Sequence, residues 1–403
     1  IPNPGFIVEF DETQHFTEPR RIALEKYPEE LELGFDRERW IKLCMGFNAK
    51  DNDPIYRDEQ RAWYDTLRDF LPAIKGLKPT VRLFAKDYVW CSFDPDNQSD
   101  VKKFENLLKG GYEGWEIEIK EEQDPSIARV IIAGEWEGNL KEAWRLIEDI
   151  CEKWPKDKKV KFLITCGGFL QFDWPESISW NDIGDNKNPN HEAINKLIEK
   201  ATEYVSSVLN DDLCRRLSEV TDYITLGVDS VNEKISTTHN RLHVELVFLK
   251  DLKQGNLFWT GKSYPTSSQQ NGLVRIVDLQ THFVNLDVGK VMILGCHDLN
   301  IFNPRSINAK EWRKKVKEDF KKLAKNEESI YALHHPHTTV KRRTWLTAWS
   351  SLRKTLTSIK HYAGSGRYYE SNRECSKWND LDVVLKAIKS ANTNTIDFII
   401  RKK

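Results

Sequence analysis

No uninterrupted apolar stretch exceeds about six residues, around Val291–Leu294, against the ~20 that a membrane-spanning helix needs. That shortage excludes a membrane partner from the reading. Paired cysteines are also missing: seven cysteines are scattered with no CxxC pair and no signal-like leader, so neither a disulfide framework nor a zinc ribbon is expected, and a reducing cytoplasm fits best. No charge of one sign prevails. With 61 Lys and Arg against 62 Asp and Glu, the net charge is -1, and any site for nucleic acid must be local rather than a whole-surface field. Glycine and proline number only 20 and 15 without a tract or repeat, which excludes collagen-like and low-complexity chains. What is present is globular composition, 39% hydrophobic over 403 residues, enough for two or three domains at ~150 residues each. Because the sequence opens at Ile1, it is expected to be a fragment whose N-terminal part lies upstream.

Polar joints at residues 94–99 and 121–125 predict a small α/β domain over 1–98, a linker over 99–126 and a larger α/β domain over 127–403, a sheet covered by helices. In the larger domain, strands are expected at 130–133, 160–165, 223–228, 243–249, 274–277 and 290–294. Helices are expected at 140–154, 191–208, 310–325 and 381–390, with a further segment at 344–356. The first helix shows Leu140, Ala143, Trp144, Ile147, Ile150 and Cys151 on one face, the spacing of a helix half-buried against a sheet.

Phe6-Ile7-Val8-Glu9-Phe10-Asp11 alternates, and period two puts Phe6, Val8 and Phe10 on one face with Ile7, Glu9 and Asp11 on the other. Two same-face carboxylates roughly 7 Å apart by Cα suit one hard cation such as magnesium. The plain alternative is an edge strand with solvated acids. The run Val8-Glu9-Phe10-Asp11-Glu12-Thr13-Gln14-His15 resembles the central strand of very-short-patch-repair-like endonucleases, a branch of the PD-(D/E)xK nucleases. Asp58-Glu59-Gln60-Arg61, opening a helix expected to bury Trp63, Leu67 and Phe70, and the strand Thr80-Val81-Arg82-Leu83-Phe84 extend the likeness over about the first 90 residues. It implies a restriction-endonuclease-like fold acting on DNA. Magnesium or manganese would be held by Glu9 and Asp11, Gln14 and His15 would orient water or phosphate, and Arg61 would neutralise a phosphate oxygen. Asp11 stands where the family has its lysine, and the family's first acid would precede Ile1.

A second run, at 290–294, is continuously apolar after Lys290, the pattern of a strand buried on both faces, and it delivers Cys296-His297-Asp298. A cysteine there, taken alone, is as readily a packing residue. Gly289-Lys290-Val291-Met292-Ile293-Leu294-Gly295-Cys296-His297-Asp298, followed by Asn303-Pro304-Arg305, resembles the nucleophile strand of the nitrilase (carbon–nitrogen hydrolase) superfamily. That family uses, in chain order, a glutamate base, a lysine that stabilises the oxyanion and a cysteine nucleophile. By this resemblance Lys262, in Thr260-Gly261-Lys262-Ser263-Tyr264-Pro265, takes the lysine's place, and the glutamate's place reads Cys166-Gly167-Gly168. The implied domain is nitrilase-like, with a central mixed sheet covered by helices. With Gly167 in place of the base, the pocket of Cys296, Lys262 and Gly167 is expected to be noncatalytic.

His334-His335-Pro336-His337 reads as a loop of hydrogen-bonding histidines, because no Cys or acid stands at ligand spacing. The basic segment 310–325, with Lys315 at its centre and Arg343 nearby in sequence, is either a solvated face or a phosphate track. Gly364-Ser365-Gly366-Arg367 lacks the P-loop lysine. The leading expectation is therefore a cytoplasmic, metal-dependent DNA endonuclease, in restriction or defence against foreign DNA. Its nitrilase-like domain would sense or scaffold through a partner protein or a small molecule, in a chain that can form homo-oligomers. The alternatives are a thiol carbon–nitrogen hydrolase using Cys296 and Lys262, and a noncatalytic nucleic-acid-binding protein.

Overall fold

A computed structural model describes residues 5–50, 53–87, 90–97, 100–101, 104, 108, 115–134, 136–183, 190–230, 233–234, 241–266, 272–304, 311–338, 342–368 and 381–402. The chain divides into two compact units, Ile1–Gly114 with Lys403, and Trp115–Lys402. Strand Trp115–Glu121, which the sequence reading left inside a linker, is an edge of the second unit's sheet. Among the described residues no helix is long and apolar enough to cross a membrane.

In the first unit, strand Phe6–Asp11 pairs in parallel with Lys78–Phe84, placing Glu9 opposite Arg82. Helices Glu18–Glu25, Arg37–Phe47 and Arg57–Lys75 make the connection. Thr17 and Asp36 cap the first two, their side chains accepting from the backbone N–H of Arg20 and Arg39, which satisfies donors that a helix start leaves open. Phe16, Leu24, Tyr27, Phe35, Trp40 and Phe84 form the core.

Acidic side chains here turn inward, on the helix against the expected pattern. Val8 and Phe10 are 43% and 45% exposed, whereas Asp11 is 1% exposed. On helix Arg57–Lys75, Asp58, Asp65 and Asp69 are the buried positions, while Trp63 and Leu67, expected in the core, are 61% and 46% exposed. The cause is a pair of buried arginines. Arg82 donates to Asp11 at 2.8 Å and to Asp69 at 2.8 Å, and Arg20 donates to Asp69 at 2.6 Å. A buried charge is tolerated when paired and hydrogen-bonded.

The second unit is a sandwich of two sheets. One runs in the order Leu257–Gly261, Glu245–Asp251, Thr221–Ser230, Val160–Ile164, Ile127–Ala133, Thr395–Lys402, Trp115–Glu121, with two short strands beside it. Its four middle members, Thr221–Ser230 to Thr395–Lys402, are mutually parallel. The other runs Phe283–Leu286, Gly289–Leu294, Tyr331–His334, His361–Gly364, the last three parallel. Alternation along each strand builds the layers. Val291 and Ile293 meet Phe162, Ile164, Tyr223 and Val247 between the sheets. Met292 and Leu294 point the other way, into a cluster with Phe320, Trp349, Leu352 and Leu385 of helices Glu311–Glu327, Arg342–Thr355 and Leu381–Ala387. Helices Leu140–Glu152, His191–Val208 and Asp211–Val220 pack on the first sheet. The expected strand at 274–277 is an irregular stretch instead, tied at Val274 to the carbonyl of His243 and at Ile276 to that of Lys262. The mixed, helix-covered sheet architecture expected for this unit is present.

Candidate active site

Parallel strands end together, and their carboxyl ends are where open α/β sheets gather ligand-binding groups. Val160–Ile164 leads to Gly167, Gly289–Leu294 to Cys296, and Tyr331–His334 to His337. Asp229 lies near the end of Thr221–Ser230, and the antiparallel neighbour begins with Glu245 directly opposite it. Lys262 follows Leu257–Gly261.

Hydrogen bonds fix these ends to one another. The backbone N–H of Gly167 donates to the carbonyl of Pro336 at 3.1 Å. His335 Nδ1 bonds the carbonyl of Thr165 at 2.8 Å, and His334 Nε2 that of Cys296 at 3.0 Å. Burial holds both of these imidazoles neutral, pushed down to about 4 and about 3. Asp298 accepts from the backbone N–H groups of Ser263, Tyr264 and Gly295 at 2.8–3.0 Å, tying the turn before Cys296 to the chain just after Lys262. Gly227 permits the close crossing of Thr221–Ser230 and the 166–167 loop, since a Cβ there would lie 2.1 Å from the carbonyl oxygen of Cys166.

At the centre is a partly exposed cysteine among charges. Both carboxylate oxygens of Glu245 accept from Lys262 Nζ, at 2.9 and 2.8 Å, and both residues are buried. His337 Nε2 bonds Asp229 Oδ2 at 2.5 Å, and its Nδ1 lies 3.7 Å from Glu245 Oε2. The backbone N–H of His337 donates to Cys296 Sγ at 3.3 Å. Sγ, a carboxylate oxygen of Glu245 and a ring nitrogen of His337 all lie within 4.8 Å of one another. Burial alone would raise the Cys296 thiol, but the charges of His337 and Lys262 outweigh it and leave the thiol below its ordinary value. Burial likewise opposes a charged His337, and the carboxylate of Asp229 reverses this, holding the imidazole well above its ordinary value. For Glu245, burial is overcome by Lys262 and His337, so its carboxyl sits well below the usual range. The other buried thiols move in the opposite direction, Cys44 up to about 12 and Cys166 up to about 11, through burial.

Cys296, Lys262 and Gly167, the residues named from the sequence, all lie on the segments that leave these strand ends. The structure adds Asp229, Glu245 and His337, which the sequence reading did not assign to the site. His334, His335 and His337 are all hydrogen-bonded, as anticipated, but His337 makes its bonds to Asp229 and Cys296. A signal for His337 existed, because Tyr331-Ala332-Leu333 is a short apolar run that delivers histidines at its end, as 290–294 delivers Cys296. The expectation of a pocket without a base-type group, founded on Gly167, is corrected accordingly.

The nuclease expectation is also corrected. Glu9 pairs with Arg68 at 3.1 Å, and buried Asp11 accepts from Trp40 Nε1 at 2.7 Å and from Arg82. Asp11, His15 and Asp65 do converge, with His15 Nδ1 3.1 Å from Asp65. They do so around the Arg82 guanidinium, which balances the charge that a magnesium or manganese ion was expected to balance. Gln14 donates its side-chain amide to Glu12, and Arg61 donates to the carbonyl of Gln14 at 2.9 Å. Lys315 lies exposed on helix Glu311–Glu327, and Arg343 falls in helix Arg342–Thr355.

No family model matches the chain, and no curated protein matches it. Among solved structures, an amidase from Nesterenkonia sp. is 9% identical, covering 61% of this chain and 78% of its own, with a TM-score of 0.35. A nitrilase-superfamily protein of Saccharomyces cerevisiae is 11% identical over 69% of this chain and 91% of its own, with a TM-score of 0.33. A carbon–nitrogen hydrolase from Helicobacter pylori is 10% identical over 68% and 89%, with a TM-score of 0.30. The endonuclease reading and its metal cofactor are set aside on the geometry of the first unit, where Arg82 pairs with Asp11, Asp65 and Asp69, and Arg68 with Glu9.

Proposed function

We propose that the second unit is a thiol hydrolase of carbon–nitrogen bonds in which Cys296 is the nucleophile. The observation that carries the proposal is the Sγ of a partly exposed cysteine, at the carboxyl ends of the strands, within 4.8 Å of a ring nitrogen of His337 and of a carboxylate oxygen of Glu245 that is itself paired with Lys262. A thiolate is the nucleophilic form of cysteine, and neighbouring positive charge makes it available near neutral pH. Lys262, fixed by Glu245, is placed to stabilise the oxyanion that forms when a carbonyl is attacked. The carbon–nitrogen substrate class follows the likeness of residues 289–298 and of Lys262 to the nitrilase superfamily.

The test is ammonia or amine release from a broad panel of amides and nitriles by the full chain and by Cys296→Ala. Turnover lost in the variant supports the reading. Turnover that survives Cys296→Ala, or none from any substrate in the panel, counts against it.

A further inference from the structure

Resting on that thiol-hydrolase reading, we infer that His337, oriented by Asp229, is the general base and acid of the Cys296 site and stands in the space that a side chain at position 167 would fill. A Cβ on Gly167 would lie 3.2 Å from both Cε1 and Nδ1 of His337 and 2.8 Å from the carbonyl oxygen of His335. A Cβ on Gly168 would lie 3.0 Å from Asp229 Oδ2 and 3.4 Å from His337 Cδ2. The two glycines therefore lie against the histidine–aspartate pair. A carboxylate-bearing side chain at 167 and the imidazole of His337 compete for one volume.

Orientation supports the same role. Asp229 takes Nε2, which leaves Nδ1 as the nitrogen toward Glu245 and the thiol. The backbone at His337 is fixed from behind, its carbonyl accepting from the backbone N–H of Arg367 at 3.1 Å and from Arg367 Nε at 3.3 Å. A nucleophile, a base within reach and a third group that orients the base are the parts that covalent acyl transfer requires. Glu245 is the competing base, but both its oxygens hold Lys262 Nζ, and a carboxylate neutralised by an ammonium accepts a thiol proton poorly.

The chemistry balances with water as the only co-reactant. In the resting thiolate–imidazolium pair the Cys296 proton already sits on His337, and the thiolate sulfur bonds the carbonyl carbon of the amide. The carbon–nitrogen bond then breaks, and the imidazolium gives its proton to the departing amine. Neutral His337 takes a proton from water, the resulting oxygen bonds the acyl carbon, and the carbon–sulfur bond breaks. The resting thiolate–imidazolium pair is restored, and a carboxylic acid is released.

Two readouts on the full chain test this: alkylation of Cys296 by iodoacetamide across pH, followed by peptide mass spectrometry, and turnover of the best amide from the panel. His337→Gln is expected to move the alkylation midpoint to higher pH and to lower turnover by about 10²–10⁴-fold; Asp229→Asn should move both in the same direction. Adding Gly167→Glu to His337→Ala, which vacates the shared volume, should restore part of the turnover. An unmoved midpoint in His337→Gln, or a midpoint that moves only in Glu245→Gln, overturns the assignment. So does one equivalent of zinc in the wild type that is lost in His337→Gln, since cysteine, histidine and carboxylate also form a zinc donor set. If His337→Gln does not fold, Asp229→Asn decides by the same midpoint. A midpoint that depends on His337 in a protein that cleaves no amide would leave the dyad standing and remove the hydrolase reading instead.

Discussion

The imidazole of His337 lies against the backbone of Gly167, close enough that any Cβ there would be 3.2 Å from two of its ring atoms and 2.8 Å from the carbonyl oxygen of His335. The loops carrying residues 167 and 337 leave different sheets, so this contact sets how the two sheets meet at the site. Gly167→Ala is expected to leave the core intact while displacing His337 from Cys296. Misplacement of a catalytic group by about 1 Å costs about 10²-fold in rate, and a loss of that order in Cys296-dependent turnover is expected. Unaltered turnover would show that His337 is not held by this contact.

Gly227 makes a different prediction, one about stability. A Cβ there would sit 2.1 Å from the carbonyl oxygen of Cys166, a backbone atom of the loop after Val160–Ile164, while Gly227 is held in strand Thr221–Ser230. Overpacking a well-filled interior costs about 1–3 kcal/mol. Gly227→Ala should therefore lower the unfolding free energy read from denaturant titration by about 1–3 kcal/mol, and a variant as stable as the wild type would contradict the crossing described.

Lys262 and Glu245 form a buried ion pair, with side chains 2% and 7% exposed. Removing one member strands the other, which costs about 3–5 kcal/mol. Lys262→Met and Glu245→Leu should each destabilise the chain strongly, while the double variant should recover much of the loss. Strictly additive losses in a double-mutant cycle would mean that the pair does not act as a unit.

Much of the second unit was legible because its strands are nearly continuous apolar runs, and such runs point to their own ends: Lys290–Leu294 led directly to Cys296. Lys262 was found through its neighbours in sequence. His337 and Asp229 were not, since they are 108 positions apart in the chain and neither belongs to a motif; only pairing across the sandwich makes them partners. In the first unit, alternation correctly placed a strand at Phe6–Asp11 and separated its two faces, without showing which one is buried. Hydrophobicity cannot show that Glu9 and Asp11 face inward when the reason is Arg82, which lies across a parallel pairing some 70 positions away.

That inward charge gives the last prediction. Burial would raise Asp65, but the hydrogen bond from His15 and the charges of Arg82 and Arg20 prevail and hold its carboxyl below the ordinary value. A carboxylate with a depressed folded-state pKa stabilises the fold at pH above its unfolded value of ~3.9, and this contribution disappears as pH falls through the folded value. Asp65→Asn should therefore weaken the first unit at neutral pH and progressively less as the solution is acidified below ~3.9 and through the lower folded-state value, where wild-type Asp65 takes up the proton that makes it resemble asparagine. Hydrogen exchange in peptides covering Phe6–Asp11 and Lys78–Phe84 reads this in the full chain. A destabilisation equally large below the folded-state value and at pH ~7 would mean that Asp65 acts through shape or hydrogen bonding rather than through its charge.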